Sequence, residues 1–126
     1  MFAPSRVFSG FSVRDTEAAE HFYGDVLGLE VSRNSMNVLD IRLPGGGSVI
    51  AYPKPDHAPA SFTILNFAVD DVDAAVEELN RRGIVTTIYN DSGLMPVDAK
   101  GIMRGNGPDI AWFTDPSDNV LSVIGA

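Results

Sequence analysis

The chain matches itself at an offset of 56 residues, and this repeat limits what it can fold into more than any single residue does. Residues 11–19 read FSVRDTEAA and residues 67–75 read FAVDDVDAA. Phe11 pairs with Phe67, Val13 with Val69, Asp15 with Asp71, and Ala18 and Ala19 with Ala74 and Ala75. Each copy is a short apolar strand running into an acidic helix start. Beyond the first junction, Ala19, Phe22, Tyr23 and Val26 keep helical spacing up to Gly28; beyond the second, Val72, Ala75, Val76 and Leu79 do so up to Gly83.

Strand-like runs separated by turn residues follow each helix. They are Leu29–Arg33, Val38–Leu43 and Ser48–Tyr52 in the first half, with Pro44–Gly47 as a hairpin turn. In the second half they are Ile84–Tyr89, Ile110–Thr114 and Val120–Ile124, with Asp115–Asn119 as the last turn. Both halves therefore read as strand, helix and three strands. The expected class is α+β: two tandem βαβββ modules forming a curved, barrel-like mixed sheet around a ligand cavity. The modules span 1–55 and 60–126 of one domain, joined by the Pro-rich connection PKPDHAP. Asn90–Asp109, Gly-rich and without regular pattern, is expected to be a lid.

Composition narrows the partners. A chain of 126 residues, 44% hydrophobic, can bury a core without staples, and with no Cys it has none, nor any thiolate chemistry. Seventeen acids against nine bases give a net charge of −8, which repels phosphate backbones and anionic lipid. We expect no nucleic acid and no membrane partner, and a cytoplasmic location, since no run approaches the length of a spanning helix.

FSVRDTEAAEHFYGDVLGLEV, FAVDDVDAAVEELNRRGI and AWFTDPSDNVLSVI together resemble the vicinal oxygen chelate superfamily of glyoxalases, bleomycin-resistance proteins and extradiol dioxygenases. The resemblance implies paired βαβββ modules around a ligand cavity and a homodimer. It also implies four His or Glu metal ligands in metal-dependent members. The family's spacing places Phe8, Ala51, Ile64 and Ser122 at those positions, so the expectation is a member with no metal and no other cofactor. The only imidazoles, His21 in the first helix and His57 in the connection, lie off the inward strand positions.

Alternation puts Phe11, Val13, Phe67 and Val69 under the helices and turns Phe8, Gly10, Ser12, Ile64, Asn66 and Ala68 toward the concave side. Trp112 either lines the cavity or packs in the core, since the parity of its strand relative to Phe113 is open. Met103 reads as an adaptable wall or a core filler, and Arg104 as a clamp on a ligand or a solvated loop charge. The glycine runs lack the setting of a phosphate or dinucleotide loop. The acids Asp70, Asp71, Asp73, Glu77 and Glu78 read as a helix start and its solvent face.

The candidate ligand-binding set is Phe8, Ser12, Ala51, Ile64, Asn66, Met103, Arg104, Trp112 and Ser122, with no catalytic residue assigned. Apolar walls with sparse polar points suit a small-molecule pocket. The first expectation is therefore metal-independent sequestration of a hydrophobic or aromatic molecule, as the resemblance to bleomycin-resistance proteins implies. The alternatives are a metal-independent lyase, isomerase or cyclase acting on a secondary metabolite, and then a metal-dependent glyoxalase or dioxygenase.

Overall fold

The computed structural model describes residues 1–126, which divide into two compact units, Met1–Pro59 and Ala60–Ala126. In the first, β1 (Ser9–Val13) leads into α1 (Thr16–Glu20), and β2 (Val31–Arg33), β3 (Leu39–Arg42) and β4 (Ser48–Pro53) follow. The sheet order is β1-β4-β3-β2, parallel between β1 and β4 and antiparallel elsewhere. The second unit repeats the plan with β5 (Thr63–Val69), α2 (Val72–Arg81), β6 (Ile102–Met103), β7 (Ile110–Thr114) and β8 (Val120–Gly125), in the order β5-β8-β7-β6. Two mixed four-stranded sheets with one helical segment apiece make the fold α+β. No helix is long and apolar enough to cross a membrane.

The repeated aspartates show why the junctions recur. Asp15 caps α1 by accepting from the Glu17 and Ala18 amides at 2.9 and 3.3 Å, and Asp71 caps α2 by accepting from Ala74 N at 3.1 Å. α2 buries Val72, Val76 and Leu79, the stripe its periodicity announces, and each such side chain contributes about 1.5–3 kcal/mol. The first helix departs from expectation. After Glu20 it widens into π-helical turns over His21–Val26, closed by Leu27 N to Phe22 O at 2.9 Å. In these wider turns the adjacent Phe22 and Tyr23 are both buried, edge to face with centroids 5.1 Å apart, and Tyr23 also packs against Phe11. Gly24 sits so close to β2 that a Cβ there would lie 2.9 Å from Val31 Cγ2.

The second unit corrects the sequence reading over 84–109. Ile84–Tyr89 is not a ladder strand; only Thr87 bridges, to Trp112. Its polar atoms are satisfied elsewhere: Asn80 Nδ2 donates to Ile84 O and Thr86 Oγ1, and Thr86 Oγ1 donates to Lys100 O at 2.9 Å. The sixth strand, Ile102–Met103, lies inside the segment expected to be a lid. That segment is anchored: Asp98 Oδ1 accepts from the amides of Lys100 and Ile102, both at 2.9 Å, and Asn90 Nδ2 donates to Asp98 O. Gly101, at φ +86°, brings its backbone against Thr86, where a Cβ would fall 1.9 Å from the carbonyl oxygen.

Gly101→Ala is therefore expected to destabilise the protein by at least about 2 kcal/mol through strain and backbone clash, read as a lower urea midpoint in equilibrium unfolding.

Candidate functional site

Register decides which side chains share a face. In the second sheet Ser122 on β8 lies between Asn66 on β5 and Trp112 on β7, so the three form one row on one face. Phe113, opposite Leu121, falls on the other face, where Phe113 and Phe67 stack at 6.4 Å. The parity left open by the sequence is thereby fixed, and Trp112 stands beside Ser122. Met103, paired with Ile110 and through it with Ile124, extends this face toward the edge strand.

The row is hydrogen-bonded. Ser122, fully buried, donates its hydroxyl to Asn66 Oδ1 at 2.6 Å, which turns the exposed residue's amide so that Nδ2 remains as donor. Trp112 Nε1 donates to Thr63 Oγ1 at 3.1 Å, and Tyr89 meets the indole edge to face at 5.3 Å. Held this way, Trp112 keeps only 6% of its surface exposed. Thr63 and Tyr89 were not singled out from the sequence. Thr63 reaches this face because the β5–β8 register slips between Thr63 and Leu65, leaving Ile64 without a register partner. A bulge of this kind leaves no mark in hydrophobic alternation.

Several sequence candidates lie elsewhere. Ala51 is fully buried and in register with Phe11 and Leu39, on the packed face of the first sheet; Ile50 and Tyr52 share the face of Gly10 and Ser12. Its place as a concave-side residue is corrected by that register. Phe8 precedes β1, is 49% exposed, and has the Arg6 guanidinium 4.6 Å from its ring centroid. Ser12 is half-buried, with His57 Nδ1 at 2.6 Å from its hydroxyl. His57, read as a residue of the connection without context, is thus brought against Ser12 on β1. His21 pairs only with Asp25 on the exposed helix surface among the contacts that define it, at 3.0 Å.

Arg104 is no free clamp. Its guanidinium holds Asp73 at 2.8 Å, Asp98 at 3.1 Å and Asp109 at 3.0 Å, tying the 98–109 segment to the first turn of α2. Asp73, then Asp98, raise the pKa of the guanidinium above its ordinary value. In return Arg104, joined by Lys100, holds the Asp73 carboxyl below the usual carboxylate range. Two of these acids, Asp73 and Asp109, border an open groove of about 490 Å³ lined also by Asp70, Asp71, Val72, Pro108, Gly125 and Ala126, apart from the Asn66–Ser122–Trp112 row.

A sequence profile of the Glyoxalase/Bleomycin resistance protein/Dioxygenase superfamily matches residues 7–123, and the chain belongs to that superfamily. It is similar to TnmS3, an antibiotic binding protein from Streptomyces sp. CB03234, with 26% identity and a TM-score of 0.70 over 99% of this chain and 98% of that one. A superfamily member from Sphaerobacter thermophilus DSM 20745 shares the fold at 22% identity and TM-score 0.70, covering 98% of each chain. A glyoxalase/bleomycin resistance protein from Streptomyces sp. CB03234 matches at 25% identity and TM-score 0.64, over 95% of this chain and 99% of that one. No protein of curated function matches the sequence.

Metal-dependent members imply a divalent ion, and the residues here do not fit one. Phe8 and Ile64 offer no donor atom in their side chains, the Ser122 hydroxyl is directed to Asn66, and on β4 the face of Ser12 carries Ile50 and Tyr52 in place of Ala51, with no imidazole or carboxylate among them. No group of three or more His, Asp or Glu side chains is placed to hold a metal ion.

Because the folded-state pKa of Asp73 is lowered, its ionised form contributes stability above the ordinary carboxylate pKa of about 4, and that contribution is lost as pH falls through the lowered value. Arg104→Gln should therefore flatten the loss of stability between pH 5 and pH 3, measured as urea midpoints at the two pH values (chosen at about one unit either side of that pKa).

Proposed function

We propose that this protein binds and sequesters a hydrophobic or aromatic small molecule without a metal ion or other cofactor, acting in the cytoplasm as a homodimer of single domains. The observation that carries the reading is the Asn66–Ser122–Trp112 row. At the position where the family spacing puts a metal-ligating carboxylate, a buried serine instead orients an exposed amide beside an indole. A flat aromatic body set over the half-buried Met103 and Ile110, beside the packed indole of Trp112, would lose apolar surface to the protein, while Asn66 Nδ2 meets an acceptor atom on its rim.

Membership of the superfamily and end-to-end likeness to an antibiotic binding protein support this reading. The acidic surface adds long-range attraction for cationic ligands. Each four-stranded sheet also keeps two edge strands, which favours a paired assembly.

Trp112 is the only tryptophan, so its fluorescence reports the site directly. Titration with a panel of polycyclic aromatic antibiotics should give saturable quenching by at least one compound. Asn66→Ala should weaken that compound by roughly tenfold, the equivalent of about 1.4 kcal/mol for one hydrogen bond. Quenching that never saturates, or an affinity indifferent to Asn66, would remove this face from the binding site.

A further inference from the structure

The first unit carries a polar pair that ligand sequestration does not use. Beyond β4, Lys54 N donates to Val13 O at 3.1 Å and pins the departing chain to the end of β1. A turn closed by His57 N to Lys54 O at 3.0 Å then brings the imidazole back, with Nδ1 2.6 Å from Ser12 Oγ. With the ring in its Nε2–H tautomer, Nδ1 can accept the Ser12 hydroxyl proton across this distance. Ser12 is half-buried, and its register partner Tyr52 lies on the same face. Gly10 precedes it on that face without a side chain. A hydroxyl within hydrogen-bond reach of an imidazole has the nucleophile-and-base geometry of an activated nucleophile.

We propose that Ser12 and His57 form an acyl-transfer dyad that acts on activated esters of small carboxylic acids. Ser12 Oγ attacks the ester carbonyl carbon while its proton passes to His57 Nδ1. The bond from that carbon to the leaving-group oxygen breaks, and the imidazolium returns the proton to the departing alkoxide or phenolate. Water then attacks the acyl-serine, giving a proton to His57 Nδ1. The Ser12 oxygen leaves, takes that proton back, and the carboxylic acid is released. Ester and water are consumed, acid and alcohol are formed, and no oxidant or metal enters. The inference stands on contacts within the first unit and is independent of the ligand reading for the second.

p-Nitrophenyl acetate is the probe. Intact mass and peptide mapping of the acetate-treated wild-type chain should find a single acetyl group on Ser12, accompanied by a burst of p-nitrophenolate. Ser12→Ala should abolish both, and His57→Gln should slow acetylation by about a hundredfold or more, the usual contribution of a general base. An unmodified Ser12 in the wild-type chain overturns the proposal whether or not either variant folds. So does acetylation confined to lysine or histidine, or a Ser12 acetylation rate unchanged in His57→Gln.

Discussion

In each unit the first strand lies parallel to the last, β1 beside β4 and β5 beside β8, and the remaining elements are arranged around that pairing. A parallel pair cannot be closed by a tight turn, so a helix and two further strands must be carried across before the chain returns. Asp15 and Asp71 start that crossover at the same point in each unit by capping the helix that leaves the first strand. The return strand then arrives in a fixed register, and in the second unit this register sets Ser122 between Asn66 and Trp112. The candidate site follows from strand pairing, before any particular side chain is considered.

At the other end of the return strand the turn Asp115–Asn119 keeps the register in place. Asp115 is buried and accepts from the amides of Ser117 and Asn119 and from the Asn119 side chain, while Asp118 adopts a left-handed conformation at φ 65°. The Asp115–Asn119 turn is thus a buried capping network whose acid makes the turn that launches β8.

Much of the fold was legible because it is periodic. The repeated FxVxD junction and the stripe Val72, Val76, Leu79 announced the strand-to-helix units, and Gly28 and Gly83 marked helix ends through positive φ. The sequence failed where long-range partners outweigh local pattern. Ile84–Tyr89 has strand composition, yet Asn80 and Lys100 take its polar groups, and the ladder position goes to the two residues Ile102 and Met103. Arg104 looked free because Asp73 lies 31 residues away in the chain. Ala51 was misplaced by a spacing that ignores register, and His57 was set aside because the turn that carries it back to Ser12 begins in a Pro-rich stretch with no periodicity of its own. A one-residue slip at Thr63 and Leu65 is equally silent in the sequence, although it decides which side chain receives the indole N–H.

On the proposed reading, this superfamily member holds its ligand by shape and hydrogen bonding, with no metal ion. Native mass spectrometry of freshly purified protein tests it most directly, because chain number, bound metal and bound organic mass are read in one spectrum. The expected spectrum is that of a metal-free dimer that carries, or takes up from an aromatic mixture, a removable organic molecule. A divalent metal retained at one equivalent per chain would contradict it.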